Sequence, residues 1–444
     1  MSRKNILFLG FMLFSLFFGA GNLIFPPFLG MESGDFFVPA MAGFVITAVF
    51  IPFLAVMSVS LSSNGLLAIG QRVHPIFGLL FTVIIYLSIG ALYGIPRASS
   101  VAYELGFVQV FQTESRLTLF LFTVVFFGIT YFLSIDPKKM IDRLGQILTP
   151  ALLMVLAILF VKSFTTLQYD SKPASENFQS SPFLSGFLEG YFTMDAIAAL
   201  AFGIVIINGL KNFGVTKKKD LVRGTAFAGI IAAIGLIIVY LSLGWIGRVL
   251  PYNKPVDNGA DILVLASEQL FDYGGTILFA AIVTLACLTT CVGLTNACAS
   301  FFSETFPKLS YKQFVLVFVV VGLLITNLGL NTILSIAAPL LVFVYPFAIV
   351  LIILSLFQHF FGESKKMYVY SISITAVFAI CSVLESFQIN LGYIDAVLGV
   401  FPLYENGLGW VFPTFIVAII GYAQDYFQGK VLHQATTSVS SEIT

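Results

Sequence analysis

A glycine-rich stretch near the N-terminus is the part of this chain best suited to expose backbone hydrogen-bonding groups. Residues 15–27 read Ser-Leu-Phe-Phe-Gly-Ala-Gly-Asn-Leu-Ile-Phe-Pro-Pro and lie inside the first long apolar run. Glycine lets a backbone leave helical angles and proline cannot complete the helical ladder, so the helix is expected to break near its middle. Inside a bilayer a break persists where its N–H groups and carbonyls line a cavity or hold a ligand. We therefore interpret the stretch as a candidate transport site, as in secondary transporters with discontinuous helices.

Two adjacent hydroxyl groups, those of Thr289 and Thr290, follow Ala286 inside another apolar run. Hydroxyls in a membrane span often bond back to their own helix. The alternative is coordination of a small cation by these hydroxyls and a backbone carbonyl, because oxygen-only ligands suit hard cations such as Na⁺. A monovalent ion requires no carboxylate at such a site. Residue types alone leave both interpretations open.

Asp195 is the carboxylate that lies well inside a predicted span. A charge at that depth is expensive and is a functional candidate by default. With the helix starting near residue 187, a rise of 1.5 Å per residue places it about 12 Å into the span. It can face a substrate ammonium group, a coupling cation or Arg97. The alternatives are a solvated vestibule residue and a structural ion pair.

The composition is that of an integral membrane protein. Of the 444 residues, 58% are hydrophobic and 10% are charged, against about 25% charged in soluble domains. The mean hydropathy is +0.99. A formal net charge of zero gives no field that would attract nucleic acid. The sequence shows no Ser/His/Asp set, metal-ligand cluster or phosphate loop, so the protein is not expected to be an enzyme.

The four cysteines bear on metal binding. Cys287 and Cys291 are four residues apart, on one face of a predicted helix that also carries Cys298, and Cys381 lies further on. Without histidine or carboxylate neighbours, these positions favour small buried core residues over a metal site.

Twelve apolar segments are long enough to span a bilayer. They are 5–30, 37–61, 76–96, 118–135, 145–164, 187–210, 224–246, 275–302, 313–328, 332–357, 367–387 and 408–427. With both termini cytoplasmic, most Lys and Arg fall on the cytoplasmic side, which supports that orientation. The outer segments then hold six of the 22: Arg97, Arg116, Lys162, Lys172, Arg248 and Lys254.

Two further segments have a predicted role. The sixth span contains small residues ending in glycine, from Ala198 to Gly203, and predicts a second break. Paired breaks in two halves indicate a transport site, although small residues also allow close helix packing.

An outer segment starting at Asp257 predicts a short amphipathic helix, either a lid or interfacial packing. The Ser/Thr-rich end, 436–444, is predicted to be disordered.

Three motifs resemble the branched-chain amino acid:cation symporter family of the BrnQ type. They are Phe18-Gly-Ala-Gly-Asn-Leu-Ile-Phe-Pro-Pro27, Thr193-Met-Asp-Ala-Ile-Ala-Ala-Leu-Ala-Phe-Gly203 and Leu285-Ala-Cys-Leu-Thr-Thr290. The resemblance covers most of the chain in length, span count and loop pattern. It implies an all-α integral membrane protein with the LeuT-like fold of the APC superfamily, in which two inverted five-helix repeats with broken helices 1 and 6 precede two C-terminal helices. The expected repeats are 1–164 and 187–357, followed by helices at 367–427 and a cytoplasmic tail at 428–444.

The resemblance also implies how substrate is bound. In the wider LeuT-like pattern, N–H groups of the first break receive the substrate carboxylate, which matches Gly19, Ala20, Gly21 and Asn22 here. The Phe202-Gly203 pair is similar to a helix-6 motif whose phenylalanine packs on the substrate side chain.

The same pattern implies one sodium site between the first and eighth helices. Its ligands would be the carbonyls of Ser15, Phe18 and Ala286 and the hydroxyls of Thr289 and Thr290. Ile197 and Ala199 replace the hydroxyls of a second sodium site, although Asn22 could still serve one. Asp195 has no counterpart in the pattern and is assigned to substrate binding. Tyr86 and Tyr93 are candidates for the apolar pocket.

The function implied is a sodium-coupled symporter that imports leucine, isoleucine and valine by alternating access. Its expected location is the cell (plasma or inner) membrane, and its expected partners are the substrate, Na⁺ and the lipid bilayer, with the oligomeric state open. One alternative is a proton-coupled amino acid transporter in which Asp195 carries the proton. A second is a non-transporting membrane scaffold or a channel.

Overall fold

The described chain is helical, with no strand among the residues covered. The computed structural model describes residues 3–62, 65–136, 139, 141–168, 173–191, 193–251, 256, 259–362, 364–389 and 391–429. Its α-helices are α1 (Arg3–Phe17), α2 (Ala20–Ser33), α3 (Phe37–Val45), α4 (Ile51–Leu61), α5 (Gly65–Gln71), α6 (Pro75–Leu87), α7 (Gly94–Val101), α8 (Val108–Phe111), α9 (Arg116–Ser134), α10 (Thr149–Thr166), α11 (Glu176–Ser180), α12 (Pro182–Tyr191), α13 (Asp195–Asn212), α14 (Lys218–Val249), α15 (Gly259–Phe271), α16 (Tyr273–Thr305), α17 (Tyr311–Thr326), α18 (Leu330–Phe361), α19 (Lys365–Ser386), α20 (Tyr393–Leu398) and α21 (Val411–Phe427). A 3₁₀ turn at Gly34–Phe36 and π-helical turns at Ile46–Phe50, Ser88–Leu92, Ala102–Phe107 and Ile141–Leu148 extend neighbouring helices.

Apolar composition explains most of these helices. Within the described part of the chain, nine helical runs are long and apolar enough to cross a bilayer, and α17 and α21 are shorter apolar helices. Each of the twelve predicted segments coincides with one or more helices, although twelve spans stays a prediction. Large apolar side chains also point outward, as at Phe132 and Phe415, which are each 66% exposed. Such side chains suit contact with lipid rather than water.

The chain falls into two compact units. The first contains residues 1–60 and 86–335, and within it α1 packs against α13, α14 and α16. In this unit α2 packs against α14 and α15.

The second unit contains residues 61–85 and 336–444. Its helices α19 and α21 pack together, and the buried Asp425 carboxylate accepts hydrogen bonds from the Ser364 hydroxyl and the Lys366 N–H, both at 2.8 Å. Asp425 thereby caps the start of α19 from another helix.

The third predicted span is kinked and longer than expected. One helical run covers Pro75–Phe111, whereas the prediction ended at residue 96. The kink lies where Gly90 (φ −86°, ψ −120°) and Tyr93 (φ −141°, ψ −61°) leave helical angles, and α7 begins directly afterwards. The prediction that Arg97 belongs to an outer segment is therefore wrong, because Arg97 lies within this run. A glycine and a π-helical turn are the usual causes of such a kink.

The short helix predicted to start near Asp257 is present as α15, and its position on the outer side of the membrane stays a prediction. It packs against α2 and α16, and a side chain on Gly259 would collide with the carbonyl of Ile24 in α2. A role as a lid stays a prediction. The Asp257 cap, Lys138, Lys172, Lys254 and the 430–444 end lie outside the described residues.

Candidate functional site

The first break lies where the glycine-rich stretch predicts it. Helix α1 ends at Phe17 and α2 begins at Ala20, with Gly19 extended between them (φ −121°, ψ −163°). The Gly19 N–H donates to Oδ1 of Asn22 at 3.1 Å, so the asparagine side chain caps the new helix. A methyl group built on Gly19 would come within 2.8 Å of Oγ1 of Thr290. Gly19 thus brings the break close to the eighth predicted span.

The second break is displaced from its predicted position. Helix α12 ends at Tyr191 and α13 begins at Asp195, and Met194 between them has a positive φ of 66°. The predicted break at residues 198–203 is wrong, because α13 runs through these residues without interruption. Gly203 instead meets the side chain of Val59, which a methyl group would approach to 2.6 Å. The small residues of α13 therefore permit close helix packing.

Three buried polar side chains join the two breaks. Nδ2 of Asn22 donates to Oδ2 of Asp195 at 2.5 Å and also to the hydroxyl oxygen of Tyr240 in α14. The Tyr240 hydroxyl lies 3.4 Å from the same carboxylate oxygen. The three residues are 3%, 5% and 0% exposed. Because Asn22 has two N–H donors and Tyr240 has one, every hydrogen in this triangle has an acceptor.

Asp195 is therefore held by neutral donors at the start of α13. Its position in the first turn also places the carboxylate at the positive end of a helix dipole. Sequence reasoning predicted Asp195 and Asn22 separately and missed Tyr240. Tyr240 could have been found from its position in the apolar run Gly235-Leu-Ile-Ile-Val-Tyr-Leu, because a phenol hydroxyl buried in such a run requires a hydrogen-bond partner.

Three of the five predicted sodium ligands converge between α1 and α16. The Thr289 hydroxyl oxygen lies 3.0 Å from the carbonyl oxygen of Ser15 and 2.9 Å from that of Ala286. All three residues are fully buried. A hydroxyl has one proton and therefore donates to one of these carbonyls at a time. Thr289 thus contacts both its own helix and the broken one, and coordination of a cation by this cluster stays a prediction.

The other two predicted ligands lie beside this cluster. The Thr290 hydroxyl lies 3.4 Å from the carbonyl of Leu16, one residue along from Ser15. Phe18 sits in the break with its ring stacked on Phe14 at 5.5 Å. Coordination of sodium by any of the five residues stays a prediction.

Phe202 contacts the broken helix directly. Its ring meets that of Phe17 edge-on, at a centroid distance of 5.5 Å, and is 1% exposed. This contact places Phe202 at the end of α1, and its contact with substrate stays a prediction. Ala20, another predicted substrate contact, is the first residue of α2.

Arg97 lies beside the first break, whereas sequence reasoning offered it only as a possible partner of Asp195. A methyl group built on Gly21 would come within 3.0 Å of its Nη2. Its Nη1 donates to the Tyr93 hydroxyl at 2.9 Å, whereas Tyr86 is packed flat on Phe301 at 4.3 Å. Of the two tyrosines predicted to line a pocket, Tyr93 is therefore the one beside this guanidinium.

The buried cysteines of α16 contact backbone carbonyls. The thiol of Cys291 lies 3.5 Å from the carbonyl of Ile95, and that of Cys298 lies 3.2 Å from the carbonyl of Tyr86. Across the described ranges, no group of three His, Cys, Asp or Glu residues is arranged to hold a metal ion. These thiols act in packing against the kinked helix.

Comparisons with known proteins agree with this architecture. The family model described as "Branched-chain amino acid transport protein" matches residues 2–428. The branched-chain amino acid permease BraB of Bacillus subtilis is 41% identical over 429 residues, covering 96% of each chain. A putative branched-chain amino acid carrier protein of Staphylococcus aureus is 38% identical over 444 residues, covering 96% of this chain and 97% of the relative.

Two solved structures share the fold. Mhp1, a nucleobase-cation-symport-1 family transporter in a closed conformation with bromovinylhydantoin bound, superposes with a TM-score of 0.59 at 15% identity, covering 98% of this chain and 95% of its own. A manganese transporter of Eremococcus coleocola gives 0.57 at 14% identity, covering 95% and 96%. The LeuT-like fold with two broken helices is thus confirmed. The extent of the family match and the identity to its members place this chain in the branched-chain amino acid transport protein family.

Proposed function

We propose that this protein is a sodium-coupled symporter that imports leucine, isoleucine and valine by alternating access. The substrate class follows from the names of the relatives. The coupling ion is supported by one observation, the convergence of the Ser15 carbonyl, the Ala286 carbonyl and the Thr289 hydroxyl between α1 and α16. Three uncharged oxygens suit a weakly held hard monovalent cation.

In this mechanism the ion and the substrate share the first break. Sodium at the Ser15 end holds α1 against α16, and the amino acid carboxylate binds on the other side of the break. The Gly19 N–H is used by Asn22, so the N–H groups of Ala20 and Gly21, which begin α2, receive the carboxylate. Phe202 packs on the substrate side chain. Movement of the two broken helices against the rest of a pair of five-helix repeats then exposes the site inward.

Leucine uptake into liposomes under separately imposed sodium and proton gradients tests the coupling. We expect uptake to follow the sodium gradient alone. Thr289→Val removes the hydroxyl at nearly constant volume and is expected to weaken sodium activation. Thr295→Val is the matched control, because Thr295 is equally buried in α16 and its hydroxyl has no partner among the described residues. Sodium dependence that survives Thr289→Val unchanged would refute the ion site.

Proton coupling is the second candidate, and the buried Asp195 carboxylate favours it. A carboxylate inside a span that contacts the first break through Asn22 is placed to carry a proton during transport. Uptake driven by a proton gradient in sodium-free buffer, and lost in Asp195→Asn, would establish this alternative. Absence of labelled leucine counterflow in liposomes would instead indicate a scaffold or a channel. The proposed location is the cell membrane, with both termini cytoplasmic.

A further inference from the structure

We propose that Arg97 binds the carboxylate of the transported amino acid, together with the backbone at the start of α2. This inference rests on the proposed function, since it assigns a side chain to the recognition of that substrate. It also predicts a specificity: the protein selects amino acids with a free carboxylate.

The guanidinium lies where the broken helix favours an anion. Ala20 and Gly21 are the first two residues of α2, and a methyl group on Gly21 would come within 3.0 Å of Nη2 of Arg97. The first N–H groups of a helix have no acceptor within it, and the helix dipole is positive at that end. The cation and the helix start therefore favour a negative group at the same place.

Among the residues that the structure describes, no carboxylate lies within 4.0 Å of this guanidinium. Nη1 donates to the Tyr93 hydroxyl, and the guanidinium also lies over the Tyr93 ring at 5.4 Å. Asp195 attracts Arg97 electrostatically, but its Oδ2 is bonded to Asn22 and Tyr240. A cation inside a helical run is expensive unless an anion or water solvates it, and the substrate carboxylate supplies that anion.

The position of Arg97 is set by rigid neighbours. It lies one turn into α7, directly after the kink, and α7 packs against α16 and α17. The Cys291 thiol and the Thr326 hydroxyl approach the carbonyls of Ile95 and Pro96, each at 3.5 Å. Ser100 follows on the same face at helical spacing, 1% exposed and without a hydrogen-bond partner in the described chain. The guanidinium is thus presented by a fixed helix, and a planar fork matches a carboxylate bidentately.

Comparison of leucine with leucinamide, which lacks the carboxylate, tests this assignment in Arg97→Gln and Arg97→Lys. For each ligand we would measure the dissociation constant of the purified protein and the rate of uptake into liposomes. Loss of a hydrogen bond to a charged group corresponds to about 10–100-fold in affinity. The preference for leucine over leucinamide is therefore expected to fall at least 10-fold in Arg97→Gln and by less in Arg97→Lys. A cooperative thermal unfolding transition in the absence of ligand shows that each variant is folded.

Arg72→Gln is the matched control. Arg72 is also half-buried, donates to a tyrosine hydroxyl (Tyr368) at 2.9 Å and lies over that ring at 5.7 Å. We expect Arg72→Gln to prefer leucine over leucinamide to the same extent as the wild type does. The inference is overturned if the wild type transports leucine and both Arg97 variants keep the full preference for leucine over leucinamide. If only Arg97→Lys folds, an unchanged preference in that variant overturns it. A wild type that transports no leucine refutes the proposed function instead.

Discussion

The two helix breaks of this protein are connected by a hydrogen bond, yet they differ in how their residues produce them. The first contains Gly19, whose missing side chain allows α1 and α16 to meet at Thr290. The second contains no glycine or proline among its described residues, Thr193 and Met194, and Met194 adopts a left-handed conformation. The first break is thus encoded locally. The second is imposed by its surroundings, among them the bond between Asp195 and Asn22.

That difference explains why glycine alone is a poor guide to a break. Gly203 lies in an intact helix and faces Val59, whereas the true interruption, at Met194, lies about two and a half turns earlier in the chain. A glycine inside a membrane span has two uses, freedom of the backbone and room for a neighbouring helix. Only the packing distinguishes them.

The largest effect is expected from Asn22→Leu, which separates the two breaks. The substitution leaves Asp195 without its 2.5 Å donor and Gly19 without its cap. Removing one partner of a buried carboxylate costs about 2–4 kcal/mol. We expect a loss of that size in the free energy of unfolding, together with weaker leucine binding. The control is Asn327→Leu, which removes the hydrogen bond from Nδ2 of Asn327 to the Thr123 hydroxyl oxygen at 3.0 Å. This substitution is expected to lower the free energy of unfolding by about 1 kcal/mol. Equal losses in the two variants would contradict a special link between the breaks.

Gly19→Ala tests whether the first break depends on a missing side chain. The new methyl group would lie 2.8 Å from Oγ1 of Thr290, and overpacking of this kind costs about 1–3 kcal/mol. Thermal unfolding should show the loss, and adding Thr290→Ala should recover part of it by removing the atoms that clash. Full stability of Gly19→Ala alone would show that the break does not closely approach Thr290 in α16.

Gly203→Ala tests the packing role assigned to the second glycine. Its methyl group would come within 2.6 Å of Val59 atoms, so a loss of about 1–3 kcal/mol is expected. Val59→Ala removes Cγ1 at 2.6 Å and Cγ2 at 3.2 Å but keeps Cβ at 2.6 Å, so the double variant should show favourable coupling that recovers part of the cost of the new methyl group. Strictly additive losses would argue against this contact.

The smallest effect is expected from moving a glycine between the true and the predicted break. Met194→Gly should be about 1 kcal/mol more stable than Met194→Ala, because a left-handed residue with a Cβ is strained by about that amount. Ala198→Gly should lose about 1 kcal/mol, as expected inside an intact helix. Thermal unfolding of the three variants measures both differences. The opposite order, with Ala198→Gly neutral, would move the break back to residues 198–203.

Much of the fold can be predicted from the sequence because apolar runs report directly on helices in a bilayer. The first break can be predicted for the same reason, since glycine and asparagine at residues 19–22 are local signals. Tyr240 and Arg97 could not be placed, because their neighbours at the first break are distant in sequence, Asn22 lying 218 residues before Tyr240. The helical run continues past the kink at Gly90 and Tyr93, so Arg97 lies half-buried in α7 and not in the expected outer segment.

The proposed sodium site is an intermediate case between the local and the distant signals. The motif placed Thr289 and Ala286 on one helix turn, and the fold brought Ser15 to them. The contacts of Leu16 with Thr290 depend on how α1 is rotated about its axis, which no local pattern specifies.

The spacing of the Asp195 partners has a consequence for biogenesis at the translocon. Asn22 is synthesised 173 residues before Asp195, but Tyr240 follows 45 residues after it. When α13 leaves the ribosome, its carboxylate has the earlier partner and lacks the later one. We therefore expect the triangle around Asp195 to be completed only after α14 has been synthesised and its phenol reaches the carboxylate. The order of synthesis makes the Asn22 bond the first that can form and the Tyr240 contact the last.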